Sequence, residues 1–298
     1  MTKTAWVFPG QGSQAVGMGM DLLELPEAKA RFQQADEILG WSVAEICQSD
    51  ADKLSRTLYT QPSLYVVESI LADLLKARGQ QPDFVAGHSL GEYVALYTAD
   101  VFDFETGLRL IKQRAELMDS ASDGLMAALL GFDRDQLEQQ LQQTPDVVLA
   151  NDNNAGQVVI SGKPTAVETV LGNVKAKRAV KLNVSGAFHS PLMAAAATEF
   201  QKALDGATFN LAQIPVLSNV DPIPATDAAT LKDRLNRQMT GTVRWREISL
   251  RMPAEGIGRV VEVGPGKVLT GIIKRTCPEL VLENVGSVAE LPGNSGDE

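Results

Sequence analysis

A chain of 298 residues with 44% hydrophobic and 21% charged side chains is built like an ordinary globular protein, with one large domain or a large one carrying a smaller insert. Its 27 basic and 37 acidic residues leave a net charge of −10, which argues against nucleic acid or an anionic membrane as a general partner. Cys47 and Cys277 lie far apart without ligand-like spacing, so neither a disulfide framework nor a metal site is expected, and the thiols suit the reducing cytoplasm. The apolar run Ala5-Trp6-Val7-Phe8 is too short for a signal peptide, and no stretch approaches membrane-spanning length.

Short apolar runs alternate with helical patterns, which predicts an α/β fold. Thr4 to Phe8 is a first strand, ended by Pro9-Gly10-Gln11-Gly12-Ser13. Gly10, Gly12 and Ala15 imitate a dinucleotide fingerprint. The acidic residue that should close a second strand is missing, because Asp36 and Glu37 sit in a polar helical segment from Ala28 to Leu39. A better use for the loop is to bring backbone N–H groups near another loop. Gln61-Pro62 opens a helix with a stripe of Leu64, Val67, Leu71 and Leu74 or Leu75, since proline suits a first turn. Gly79 and Pro82 end that unit.

Phe84 to Ala86 is then a short strand, and a helix starts near Leu90. The turn between them, Gly87-His88-Ser89-Leu90-Gly91, fits G-x-S-x-G, in which a strained strand-to-helix turn pushes a serine hydroxyl outward. The alternative is an ordinary Gly-rich connection. Asp103 caps a helix to about Asp119, with Leu108, Ile111, Ala115 and Met118 as its buried stripe. Arg114 falls beside this stripe. By spacing alone it either snorkels or pairs with a structural anion, or else meets an anionic substrate.

Ser120 to Gly124 has the composition of a hinge. Beyond it come a strand (Leu125 to Leu130), a helix (Asp133 to Gln143), strands (Val147 to Asn151 and Gln157 to Ser161), a helix (Pro164 to Val174) and a strand (Ala179 to Val184). This β-α-β-β-α-β order is ferredoxin-like and marks residues 124–188 as a small subdomain inserted into a larger domain of 1–123 and 189–298. Asn151 to Gly156 is its hairpin loop. The chain returns through Ser185-Gly186-Ala187-Phe188-His189 to a helix capped by Ser190 with Pro191 at its first position. Ile214 to Ser218 and Arg259 to Val263 are further strands. Gly264-Pro265-Gly266-Lys267 lacks the spacing of a phosphate loop, and the tail from Pro292 to Glu298 is polar and frayed.

A serine nucleophile needs a base, and the chain has two histidines. His88 adjoins Ser89 on a sharp turn, where neighbouring side chains diverge. His189 is left, either as the base or as a helix-capping or core residue. No carboxylate is marked as its partner; a backbone carbonyl can orient an imidazole equally well.

Five stretches, Phe8 to Gln14, Gln61 to Leu64, Gly87 to Tyr93, Gly186 to Ser190 and Val263 to Lys267, resemble in this order the malonyl-CoA:acyl carrier protein transacylases. The likeness runs from about Thr4 to Val285, and the large domain is then α/β-hydrolase-like with a short parallel sheet. The resemblance implies that Ser89 is acylated, that His189 is the base, and that the main-chain carbonyl of Gln238 orients it. It also implies an oxyanion hole from the N–H groups of Gln11 and Leu90, and a malonyl carboxylate paired with Arg114. Gln61 and Met118 line the acyl pocket, Phe188 crowds a branched acyl group, and Asn151 and Asn153 lie near the coenzyme A arm. The implied partners are malonyl-CoA and an acyl carrier protein, with no cofactor and a monomeric cytoplasmic enzyme. Carriers are generally acidic, so the basic run Lys175 to Lys181, with Lys177 and Arg178, is either their docking surface or a solvated charge run. A serine hydrolase and a non-catalytic carrier-binding scaffold are the rival readings.

Overall fold

The computed structural model describes residues 2–121, 123–184 and 186–293. In chain order it runs β1 (Lys3–Phe8), α1 (Pro26–Leu39), α2 (Val43–Cys47), α3 (Ala51–Ser55), α4 (Thr57–Ala77), β2 (Phe84–Gly87), α5 (Gly91–Thr98) and α6 (Phe104–Asp119). Next come β3 (Leu125–Phe132), α7 (Arg134–Gln143), β4 (Val147–Asn154), β5 (Gln157–Gly162), α8 (Pro164–Asn173) and β6 (Ala176–Lys181). The chain closes with α9 (Ala194–Gly206), β7 (Val216–Leu217), α10 (Ala228–Gln238), α11 (Trp245–Ala254), β8 (Ile257–Val263), α12 (Val268–Ile273) and β9 (Val281–Val285). Of the stretches singled out in the sequence, Ser122, Ser185 and residues 294–298 lie outside the described residues.

Five strands form a parallel sheet in the order β7-β2-β1-β8-β9. A parallel sheet is covered on both faces, and that is why β1 and β2 are apolar runs. Alternate residues serve opposite cores: Trp6, Phe8 and Val85 pack with α4, α5 and α6, while Ala5, Val7, Phe84 and Ala86 pack with α11 and α12. The second sheet is antiparallel, in the order β4-β5-β3-β6, with β3 central. On one face Ala127, Leu129, Val158 and Ile160 bury against Leu137 of α7 and against Val167 and Val170 of α8. Met126, Ala128 and Val159 point the other way, toward the main core. The fold is thus a large α/β-hydrolase-like lobe with a ferredoxin-like one.

Three expectations are corrected. Helix α4 begins at Thr57, so Pro62 is internal and not in the first turn. Proline costs an interior helical hydrogen bond. Here the preceding turn is held from outside, by Asp119 accepting from the Leu58 N–H (3.3 Å) and pairing with Arg56 (3.0 Å). Asn151 to Asn154 are not a loop but the end of β4, paired with β5 around a turn at Ala155-Gly156. The carboxylate among them is paired: Asp152 accepts from Arg134 (2.8 Å) and Arg246 (3.0 Å), and its N–H donates to Val243 O (2.9 Å). Finally, β6 spans Ala176–Lys181 and not Ala179 to Val184, so the basic run is itself an edge strand. Charge on an edge strand also blocks pairing with other chains.

Candidate active site

Ser89 sits between β2 and α5 with φ 53°, a left-handed conformation that a serine rarely adopts. The flanking glycines follow from crowding. A Cβ on Gly87 would lie 1.9 Å from the Gly91 carbonyl, and one on Gly91 would lie 2.1 Å from Phe8 O. Gly10 approaches the same turn, since a Cβ there would be 2.4 Å from His88 O. Asn219, in the loop after β7, straddles the elbow: its Oδ1 accepts from the Ser89 N–H (2.7 Å) and its Nδ2 donates to Gly87 O (2.6 Å).

Ser89 Oγ lies 2.8 Å from His189 Nε2 although the two are 100 positions apart. The other ring nitrogen, Nδ1, lies 2.9 Å from the main-chain oxygen of Gln238. Gln238 ends α10, and the last carbonyls of a helix have no partner within it, so this one is available to an imidazole. A carbonyl only accepts, so Nδ1 carries the proton and Nε2 is left bare to accept from the serine. Burial, and then the positive charge of Arg114, push His189 down to about 3, so the imidazole is neutral at physiological pH.

Arg114, on α6, is wholly buried. Its Nη1 donates to Gln61 Oε1 (2.7 Å), and its Nη2 donates to Ser89 Oγ (3.0 Å) and to Gln238 Oε1 (3.1 Å). Nε has no partner, and among the described residues no carboxylate lies within ion-pairing distance. The Tyr93 ring lies beneath the guanidinium, 5.4 Å from centroid to carbon. The nearest anionic group acts through an amide: Gln238 Nε2 donates to Glu92 Oε2 (2.7 Å). Burial raises the Glu92 carboxyl above the usual carboxylate range, and the hydrogen bond from Gln238 opposes that rise.

A cavity of ≈ 220 Å³ opens beside Ser89 and His189 between the two sheets. Gln11, Gln61, Leu90, Met118, Asn151, Asn153 and Phe188 all line it. Among the described residues neither the Gln11 nor the Leu90 N–H has a protein acceptor. Gln61 Nε2 contacts Met118 Sδ (3.3 Å). His88 lines the same cavity, and its Nε2 lies 2.9 Å from Asn153 Oδ1, tying the elbow to β4. Lys177 and Arg178 are not part of the cavity and lie exposed on β6.

Sequence reasoning missed Glu92, Asn219 and the side chain of Gln238. Glu92 left one trace, an acidic residue in the first turn of an otherwise apolar helix. Asn219 left none.

A strained serine, a neutral histidine oriented by a carbonyl and a buried cation beside an apolar cavity together have the form of an acyl-transferring site. The acyl transferase domain model matches residues 5–295. A malonyl CoA-acyl carrier protein transacylase of Synechocystis is 61% identical over 289 residues, covering 97% of this chain and 99% of the relative. The crystal structure of a Synechocystis malonyl-CoA:ACP transacylase superposes with a TM-score of 0.96 at 60% identity, covering 97% of this chain and 99% of that one. A malonyl-transacylase solved in complex with its type II PKS acyl-carrier protein gives 0.92 at 35% identity, covering 97% and 98%. The chain belongs to the acyl transferase domain family and, within it, to the malonyl CoA-acyl carrier protein transacylases.

Proposed function

We propose that this enzyme moves a malonyl group from coenzyme A to the phosphopantetheine thiol of an acyl carrier protein by way of an acyl-serine at Ser89. One observation carries the reading: Ser89 Oγ lies 2.8 Å from a neutral imidazole and 3.0 Å from a buried guanidinium that, among the described residues, has no ion-paired carboxylate. A nucleophile is thereby fixed beside a receptor for a carboxylate, which is what a malonyl thioester presents.

His189 takes the proton from Ser89 as Oγ attacks the thioester carbon, and the N–H groups of Gln11 and Leu90 receive the charge on the carbonyl oxygen. Their lack of protein acceptors supports that role. The intermediate collapses, the C–S bond breaks, and the imidazolium returns its proton to the coenzyme A sulfur. The carrier thiol then enters by the same path in reverse. Gln61 and Met118 shape the acyl pocket, Phe188 crowds the α-carbon, and Asn151 and Asn153 flank the thioester arm. No cofactor takes part in this scheme, because donor and acceptor are both substrates. In this reading residues 1–123 and 189–298 form the catalytic lobe and 124–188 the inserted one, whose sheet takes all its strands from Leu125 to Lys181. One copy suffices, since a single chain supplies every group named, and the cytoplasm supplies both thioesters.

The carrier docks on the exposed edge strand β6, where Lys177 and Arg178 offer positive charge on a protein of net charge −10. Intact mass tests the whole reading. Mixing with malonyl-CoA should add one malonyl group to the wild type and none to Ser89→Ala, and holo-carrier should discharge it. Steady thiol release without a carrier would identify a hydrolase instead.

A further inference from the structure

The hydroxyl that must attack is held from two sides. Oγ donates toward His189 Nε2 (2.8 Å) and accepts from Arg114 Nη2 (3.0 Å). A hydrogen bond from a cation is among the stronger ones and draws electron density from the oxygen that receives it. The same cation opposes formation of an imidazolium at His189, whose Nδ1 is backed by the neutral Gln238 carbonyl (2.9 Å) and not by a carboxylate. In this arrangement Arg114 therefore works against both partners of the reaction. Its other donors rest on neutral amides, Gln61 Oε1 (2.7 Å) and Gln238 Oε1 (3.1 Å), and its buried Nε has no partner. A guanidinium placed so gives up a hydroxyl readily for a carboxylate, which accepts two parallel N–H bonds.

We propose that Arg114 is a latch on the nucleophile: its Nη2 holds Ser89 Oγ until a carboxylate on the incoming acyl group takes that donor and frees the hydroxyl to attack. This deepens the reading above and rests on it. The substrate's own anion then supplies the negative charge that a third triad carboxylate supplies elsewhere. Once it pairs with Arg114, the imidazolium no longer faces a bare cation. The Oγ–C bond forms, the C–S bond breaks, and the Oγ proton passes through His189 Nε2 to the coenzyme A sulfur. Selectivity for a charged acyl group becomes a matter of rate as well as of affinity.

The test separates the acyl group from its carboxylate. Acetyl-CoA is the neutral donor, formate is the separate anion, and acetylation of Ser89 is timed by intact mass at constant ionic strength with chloride as control. In the wild type formate should accelerate acetylation about tenfold, saturably, the worth of one charge-assisted hydrogen bond. Arg114→Met should acetylate about tenfold faster than the wild type without formate and ignore formate. If formate leaves the wild-type rate unchanged or lowers it, or if Arg114→Met acetylates more slowly, the latch is refuted. Malonyl-CoA run alongside keeps the two readings apart: malonylation with no formate effect overturns the latch alone, and absence of malonylation overturns both.

Discussion

Replacing His189 by asparagine should flatten the acid side of the protein's stability profile. The unfolded imidazole titrates near 6.5, whereas burial and Arg114 push the folded one down to about 3. Between these values the unfolded chain binds the extra proton, so stability is present in full above about 6.5 and is lost as pH falls toward the folded value. At pH 5 the imbalance spans about 1.5 pH units, or about 2 kcal/mol. Because pH 5 lies well above the folded value, this figure depends only on the unfolded histidine. For a domain of this size it corresponds to about 3 °C in melting temperature. Asparagine suits the site, because His189 has φ 58°, which asparagine tolerates, and the amide nitrogen can replace Nδ1 as donor to Gln238 O. The assay is thermal unfolding of both proteins at pH 7 and pH 5. His88, also lowered by burial, remains in both and cancels in the difference. The wild type should lose about 3 °C more than the variant between the two pH values. Parallel losses would show that the buried imidazole carries no such linkage and would refute the neutral-base assignment.

Asn219→Ala leaves the Ser89 N–H and the Gly87 carbonyl without partners at the elbow. A loss of about 2 kcal/mol by urea unfolding is expected, with a lower kcat and little change in KM for malonyl-CoA; a variant as stable as the wild type would count against this role. Phe188→Ala opens the wall next to the base and should improve methylmalonyl-CoA relative to malonyl-CoA about tenfold in kcat/KM, and unchanged selectivity would remove Phe188 from the acyl pocket. Lys177→Glu with Arg178→Glu should raise KM for the carrier several-fold, more at low salt, and leave KM for malonyl-CoA alone. Equal effects on both substrates would point to a general field instead of a docking surface.

What could be read from the sequence was decided by how local the governing interaction is. Asp103 caps α6 by accepting from the N–H three positions on, and the helix starts where that cap predicts. Pro62 misled because the turn before it is secured by Asp119, on another helix. Asn151 to Asn154 misled for the same reason: Asn153 is bonded by His88 and Asp152 by Arg134 and Arg246, partners distant in sequence that let a stretch with the composition of a turn stand as a buried strand. The site divides along a similar line. Ser89 and His189 could be singled out by residue type, one by its glycine frame and the other by scarcity, and the structure sets them 2.8 Å apart. Gln238 could not be found this way, because any residue ending α10 would offer the same carbonyl, and only likeness to relatives marked it. Its side chain then bonds Arg114, Glu92 and the Ser89 carbonyl together, contacts that span 124 to 149 positions. A backbone atom leaves no residue-type signature, and a neutral amide joining a buried guanidinium to a buried carboxyl has no spacing rule. The parts of this candidate site that hold Ser89 and His189 in place therefore become visible only when the chain is folded.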